Sequence, residues 1–501
     1  MDVYEAKKGF EELLEKMNAI EQAVALMYCD SSTIEPKKAG EETSKVIAIL
    51  QTEFFKSLVS EQMKQYLEVL KNNIDEMDEI TKKVIKRINK EYEKYAKIPS
   101  TEYREYRELT AKSEKAWADA KENSDYNLAK PYLEKIFEYN KRFVKYRGYE
   151  GHPYNTLLDD YEPDSTVEKL DGVFDGLKIK LVTLIRKIQA SNKQINTKFT
   201  EGHYDIEKQR QLSKYVLEII GYDFDAGVVT ESAHPYTMDI NKNNVRIASR
   251  FFENEITAGL YASIHEGGHA RYEQNVDDAI SKTALRGGVI MAIHESQARM
   301  YENMFGRDIN FIKFIFPKLQ ELFPKQIENI SAEEIYESVN QVKATFIRIE
   351  SDELTYSLHI MLRYELERMV LEEKIGVEDL NNIWNQKMEE YLGIIPPNDK
   401  LGVLQDVHWY DGSIGYFPSY LLGNIIAAQL VNTMSKEIDI EESLLQGDFS
   451  KINEWLKENV HQYGKSKTPE EIIKDSTGEG INPKYYVEYL EKKYGELYDL
   501  K

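Results

Sequence analysis

Apolar positions in the first 200 residues recur at helical spacing. Phe10, Leu13, Leu14, Met17, Ile20, Val24 and Met27 form one stripe, which Ser31-Ser32-Thr33 and Pro36 interrupt. Val46, Ile47, Leu50, Phe54 and Phe55 form a second. Leu70, Ile74, Met77, Ile80, Val84, Ile88 and Tyr92 share one face of a charged segment, which predicts one long helix over 70–98 that Pro99 stops. Further helices are predicted over 101–122, 130–147 and 166–193. No Gly/Ser-rich linker and no repeat divides this part from the rest. Its charged positions read as solvated faces of a scaffold.

The texture changes after residue 200. A helix over 205–220 ends at Gly221. Gly227-Val228-Val229-Thr230 and Asn244-Val245-Arg246-Ile247-Ala248-Ser249-Arg250-Phe251 then read as short strands, the second with alternation. Such a strand serves either as part of a structural hairpin or as an edge that binds an extended peptide. Residues 346–373 predict a long helix, 414–431 a buried one, and 440–501 a set of capping helices.

The helix that follows the second strand carries His265-Glu266-Gly267-Gly268-His269. In a chain with 9 His and 87 acidic residues, H-acid-x-x-H arises by chance about 0.03 times. On a helix, positions i and i+4 share a face, so both imidazoles can reach one metal ion and Glu266 a water bound to it. Gly267 and Gly268 each cost about 1 kcal/mol in a helix interior, which implies close approach of another helix or of substrate.

Two histidines leave a catalytic zinc site one ligand short. The pattern that supplies a third His six residues on fails, because that position is Asn275. Met291-Ala292-Ile293-His294-Glu295-Ser296-Gln297-Ala298-Arg299 is the next candidate helix. Glu295 would complete a His2Glu set; His294, about 100° round the helix, is the alternative. Arg348 lies in an apolar setting, able to fork onto a substrate carboxylate or to pair internally with Asp352 four residues on. His408, Tyr416 and Tyr420 are candidate donors to substrate or oxyanion, although core packing is the commoner use of tyrosine in a chain with 34 of them.

Composition narrows the class. The chain of 501 residues carries 65 basic and 87 acidic side chains, a net charge of −22, with 42% hydrophobic residues. Its acid excess lacks the basic footprint of a nucleic-acid binder. The first residues lack a basic and apolar leader, and no stretch reads as a membrane span. Cys29 is the only cysteine, so the chain forms no internal disulfide and suits a reducing cytoplasm.

Taken in order, His234-Pro235-Tyr236, His265-Glu266-Gly267-Gly268-His269, His294-Glu295-Ser296-Gln297, Ile347-Arg348-Ile349-Glu350-Ser351-Asp352 and Gly402-Val403-Leu404-Gln405-Asp406-Val407-His408-Trp409 resemble the carboxypeptidase Taq family of metallocarboxypeptidases, over essentially the whole chain. The resemblance implies a mainly α fold, a large helical peptidase with a deep central cleft and a small β-sheet next to the active site. It implies a single domain over 1–501, with 1–200 as a helical N-terminal part and 201–501 carrying the zinc site. It implies a homodimer that removes single residues from peptide C-termini with broad preference.

By this resemblance His265, His269 and Glu295 are the metal ligands and Glu266 is the base; one Zn2+ per chain is the chemical best fit to a His2Glu set, with Co2+ or Mn2+ as substitutes. Arg348 anchors the substrate carboxylate, with Arg246 or Arg250 as second choice. The resemblance also implies that His234, His408 and Tyr420 bind substrate or transition state, while Tyr416 stands as a candidate from its place in the sequence alone. Tyr236, Asn244, Ala248 and Ser351 depart from the family's motifs. Two other readings stay open: an endo- or oligopeptidase with the same zinc chemistry, and a non-enzymatic helical peptide-binding protein.

Overall fold

The computed structural model describes residues 1–289 and 291–500. Helices dominate it, and the strands form one three-stranded sheet. The chain gathers into two compact units, each assembled from separated stretches. The first comprises Met1–Ala96, Asn196–Val339 and Leu430–Gly480. The second comprises Lys97–Ile195, Asn340–Gln429 and a last segment beginning at Ile481.

In the first unit, the opening stripe becomes one helix, Val3–Thr33, started by an Asp2 capping box with Glu5. The predicted helix over 70–98 is instead two helices, Glu61–Asn72 and Glu79–Ala96, around the short turn Ile74–Glu76. Asp78 explains the restart: its carboxylate accepts from the Thr81 N–H at 2.9 Å and from the Thr81 hydroxyl at 2.6 Å. The apolar stripe survives the break. Leu70, Met77, Val84 and Ile88 are all buried in one core with Phe10, Met17 and, from the loop after the histidine helix, Val276, Ile280 and Leu285.

The sheet contains β1 (Val229–Glu231), β2 (Tyr236–Asn241) and β3 (Asn244–Ser249), in the order β1-β3-β2. β3 runs parallel to β1, with Val229 opposite Ile247, and antiparallel to β2, with Met238 opposite Arg246. The sequence suggests β3 as a peptide-binding edge, but both its sides are paired, so the edges are β1 and β2. β3 and β2 pack on the helix Ile256–Gln274, which carries His265 and His269. That helix is buried on nearly every side, as its lack of a polar face requires.

In the second unit, the long helix begins at Glu353 rather than at 346 and runs to Leu371. Asp352 caps it, accepting from the N–H groups of Leu354 and Thr355 at 3.0 Å each. Arg348 precedes it in a 3-10 turn, Arg348–Glu350. No described helix is both long and apolar enough to cross a membrane.

Candidate metal centre

The two helix glycines have separate reasons, and both are packing. A Cβ at Gly268 would lie 2.8 Å from the Ala298 Cα and the Gln297 carbonyl, so the glycine lets the helix Met291–Arg299 approach its backbone. A Cβ at Gly267 would strike Ile220 and Leu217. This approach brings Glu295 to the histidines. Glu295 Oε2 lies 4.0 Å from His265 Nε2 and 3.7 Å from His269 Nε2. One ligand atom from each residue falls within 4.8 Å of the others. Glu295 is buried, unlike most glutamates.

Each histidine is held from behind. His265 Nδ1 is 2.9 Å from Glu302 Oε2. His269 Nδ1 is 2.5 Å from His294 Nδ1, and His294 Nε2 is 2.6 Å from Glu273 Oε1. His294 therefore faces the back of His269, and the converging group contains Glu295 in its place. Arg299 Nε donates to Glu295 Oε1 at 2.6 Å. Arg307 Nη2 donates to Glu302 Oε1 at 3.1 Å. Glu302 lies on a π-helical segment, Met300–Gly306, continuous with the Glu295 helix.

Burial disfavours a charge on His265, but Glu302 and Glu295 outweigh it and hold its pKa above the ordinary value. Burial, with the fields of His294 and His265, holds His269 well below. Burial pushes the Glu266 carboxyl up. Thr237 on β2 donates its hydroxyl to Glu266 Oε2 at 2.7 Å, with the Glu266 carbonyl also near at 2.9 Å. Two imidazole nitrogens and one carboxylate oxygen, backed by hydrogen bonds at the far ring nitrogens, fit a divalent ion such as zinc.

His234 is exposed in the turn before β2. Arg246 is half-buried on β3, its Nε on Asn244 Oδ1 at 3.0 Å. Arg250 is exposed and donates to the Ala233 carbonyl at 2.7 Å. Tyr236 meets Ser32 of the first helix, hydroxyl to hydroxyl at 2.7 Å.

Arg348, His408, Tyr416 and Tyr420 come together in the second unit. Arg348 is buried. Its Nε and Nη2 donate to Asp406 Oδ1 at 3.1 and 2.8 Å, and its Nη1 to the Tyr356 hydroxyl at 2.8 Å. The internal partner is thus Asp406 rather than Asp352. Arg363 forks onto the other oxygen of Asp406 at 2.7 and 2.5 Å. Two guanidiniums share one carboxylate, which they hold far below its ordinary pKa against the opposing effect of burial. The Arg348 guanidinium lies 4.9 Å from the Tyr420 ring centre. His408 Nε2 is 3.2 Å from the Tyr420 hydroxyl, and its ring is 5.4 Å from that of Tyr416. Burial lowers the His408 pKa to about 4, so its ring is neutral at pH 7.

Sequence reading missed Thr237, Glu273, Arg299, Glu302 and Arg363. Glu273 and Arg299 were within reach, each four residues after a named site residue on the same helix. Thr237 needed the strand β2, and Glu302 needed the π-helical segment.

A histidine pair, a converging carboxylate and a buried glutamate beside them on one helix define a metallopeptidase type of site. Residues 9–494 match the family model described as carboxypeptidase Taq (M32) metallopeptidase. Carboxypeptidase 1 of Bacillus subtilis (strain 168) is 44% identical over 499 residues, 99% of this chain and 100% of that one. Thermostable carboxypeptidase 1 of Thermus thermophilus is 32% identical over 486 residues, 95% of each. The crystal structure of the M32 carboxypeptidase from Deinococcus radiodurans R1 superposes with a TM-score of 0.95 at 33% identity, covering 99% of this chain and 100% of that one. The chain belongs to the carboxypeptidase Taq family of metallopeptidases. It is a carboxypeptidase, a hydrolase acting on peptides.

Proposed function

We propose that this chain is a zinc-dependent carboxypeptidase that releases single residues from peptide C-termini with broad preference, using Glu266 as general base. The observation that carries this reading is the convergence of His265, His269 and Glu295 within 4.8 Å beside Glu266. Zinc held by those three residues would polarise the scissile carbonyl and acidify water. Glu266 takes the proton of the attacking water and returns it to the leaving amine. The Thr237 hydroxyl fixes Oε2, which leaves Oε1 to handle the proton. Burial raises the pKa of Glu266, making it a stronger base than an exposed carboxylate.

A carboxypeptidase must also hold the terminal carboxylate. Arg348 is our first candidate, supported by the surplus positive charge it shares with Arg363 over Asp406. Arg246 or Arg250 is the second. His234, His408, Tyr416 and Tyr420 are proposed to contact substrate or the developing oxyanion. His408, being neutral, has one ring N–H to donate. Resemblance to the family extends the proposal to a homodimer, cysteine usage to a reducing cytoplasm, and the chemistry of the ligand set to Co2+ or Mn2+ as workable substitutes.

Glu266→Gln tests the base. Zinc content should stay at one per chain while kcat falls by about 10²–10⁴-fold. A substantially active variant would remove Glu266 from that role.

A further inference from the structure

His294, the sequence-level rival of Glu295, stands behind a ligand and has no role in the chemistry above. Its ring lies 4.5 Å from that of His269, centre to centre. Its two nitrogens face different partners, Nδ1 of His269 at 2.5 Å and Oε1 of Glu273 at 2.6 Å. Glu273 is buried, and the same oxygen accepts the Gly288 N–H at 2.9 Å.

Hydrogen-bond direction then follows along the chain of groups. A carboxylate only accepts, so the bond to Glu273 takes a proton on His294 Nε2. In the neutral ring, Nδ1 of His294 is then an acceptor. The proton between the two rings therefore belongs to Nδ1 of His269. His269 is left with its lone pair on Nε2, the atom 3.7 Å from Glu295 Oε2. Reversing the His294 tautomer would put a proton on His269 Nε2 and exclude it as a ligand.

The backbone around this pair is shaped to it. A Cβ at Gly288 would lie 2.6 Å from the His294 ring and 2.7 Å from that of Tyr272. Gly287 has φ +76°, and a Cβ there would lie 3.4 Å from Glu273 Oε2. The Tyr272 hydroxyl accepts the Val289 N–H at 3.0 Å, closing the loop over the His294 ring. Gly288 thus lets the chain pass directly over the His294 ring, and Gly287 supplies the positive φ that turns the chain into that position.

We infer that His294 and Glu273 are positioning residues which lock His269 in the tautomer that offers Nε2 to the metal, the task Glu302 performs directly for His265. The inference rests on the proposed ligand set.

Zinc dissociation constants, measured by competition with a chromophoric chelator, test it on wild type, His294→Phe, His294→Asn and Glu273→Leu. Phenylalanine keeps a ring without an acceptor; asparagine puts an amide oxygen where Nδ1 accepts. His294→Phe should bind zinc about 10–100-fold more weakly, and His294→Asn should stay near wild type. Long-range proton–nitrogen NMR spectra of the zinc-loaded, histidine-labelled wild type should place protons on His269 Nδ1 and His294 Nε2. Wild-type affinity in His294→Phe, an equal loss in His294→Asn, or a proton on His294 Nδ1 would each overturn the inference. Should His294→Phe fail to fold, Glu273→Leu decides: weakened zinc binding supports the lock, and unchanged binding overturns it. A wild-type chain that takes up no zinc would instead overturn the ligand set itself.

Discussion

Each unit buries a charged cluster, and the two have opposite surpluses. In the first, Glu295 and Glu302 are set against the guanidiniums of Arg299 and Arg307, Glu266 is a further buried carboxyl held by the Thr237 hydroxyl, and two imidazoles turn ring nitrogens toward Glu295. In the second, Arg348 and Arg363 divide one carboxylate, Asp406, between them. The first cluster is rich in lone pairs and short of positive charge, which suits a cation. The second is rich in N–H donors and carries positive charge that its carboxylate does not cancel, which suits an anion. Buried charges persist only when paired and hydrogen-bonded, so the sign of each surplus indicates what kind of ligand each region accommodates.

The arginine cluster gives the largest effect expected from altering this contrast. Asp406→Asn strands two buried guanidiniums and should lower unfolding stability by about 3–5 kcal/mol in chemical denaturation. Unchanged stability would mean that water, not Asp406, balances the arginines.

Glu367 lies in the same unit and tests what burial does to a carboxylate without a full ionic partner. It accepts from the Trp409 indole at 2.7 Å, the Gly415 N–H at 2.8 Å and the Tyr154 hydroxyl. Burial prevails over these bonds and raises its pKa from 4.5 to about 7. The folded chain therefore holds a proton there that the unfolded chain has lost. The stability this contributes is complete below pH 4.5 and is lost as pH rises through about 7, a change of about 3 kcal/mol. Wild type minus Glu367→Gln, in unfolding free energy across that window, should show this fall. A flat difference would mean the carboxyl is ionised in the fold.

A smaller effect belongs to the metal-site unit. Thr237→Val removes the hydroxyl that holds Glu266 and should lower kcat about tenfold, with zinc content unchanged. Equal loss of zinc would show that Thr237 supports the ligands rather than the base.

The sequence made legible what helix geometry alone determines. His265, Glu266 and His269 are fixed relative to one another by the i, i+4 relation, so one local motif sufficed. Glu295 required only the next helix. The stripe from Leu70 to Tyr92 marked the right core residues, yet not the break between Asn72 and Glu79, because the Asp78 cap competes locally without moving the stripe. The helix expected from 346 onward starts at Glu353 for a similar reason, the Asp352 cap. β2 escaped notice because Tyr236–Asn241 is mostly half-buried and lacks a clean apolar alternation. Glu302 escaped because the π-helical segment changes the spacing on which periodicity arguments depend. The chain crosses between its units at Ala96/Lys97, 195/196, 339/340 and 429/430 without a Gly/Ser-rich linker to mark the crossings, whereas the one at 480/481 follows the loop-like run Ser476-Thr477-Gly478-Glu479-Gly480.

The most direct test of the account is mass spectrometry of one unstructured peptide, offered to the zinc-loaded enzyme as free acid and as C-terminal amide. A carboxypeptidase with a fixed carboxylate anchor removes single C-terminal residues stepwise from the acid and none from the amide. Internal cuts in both forms would contradict this reading, leaving the metal chemistry but removing the carboxylate anchor.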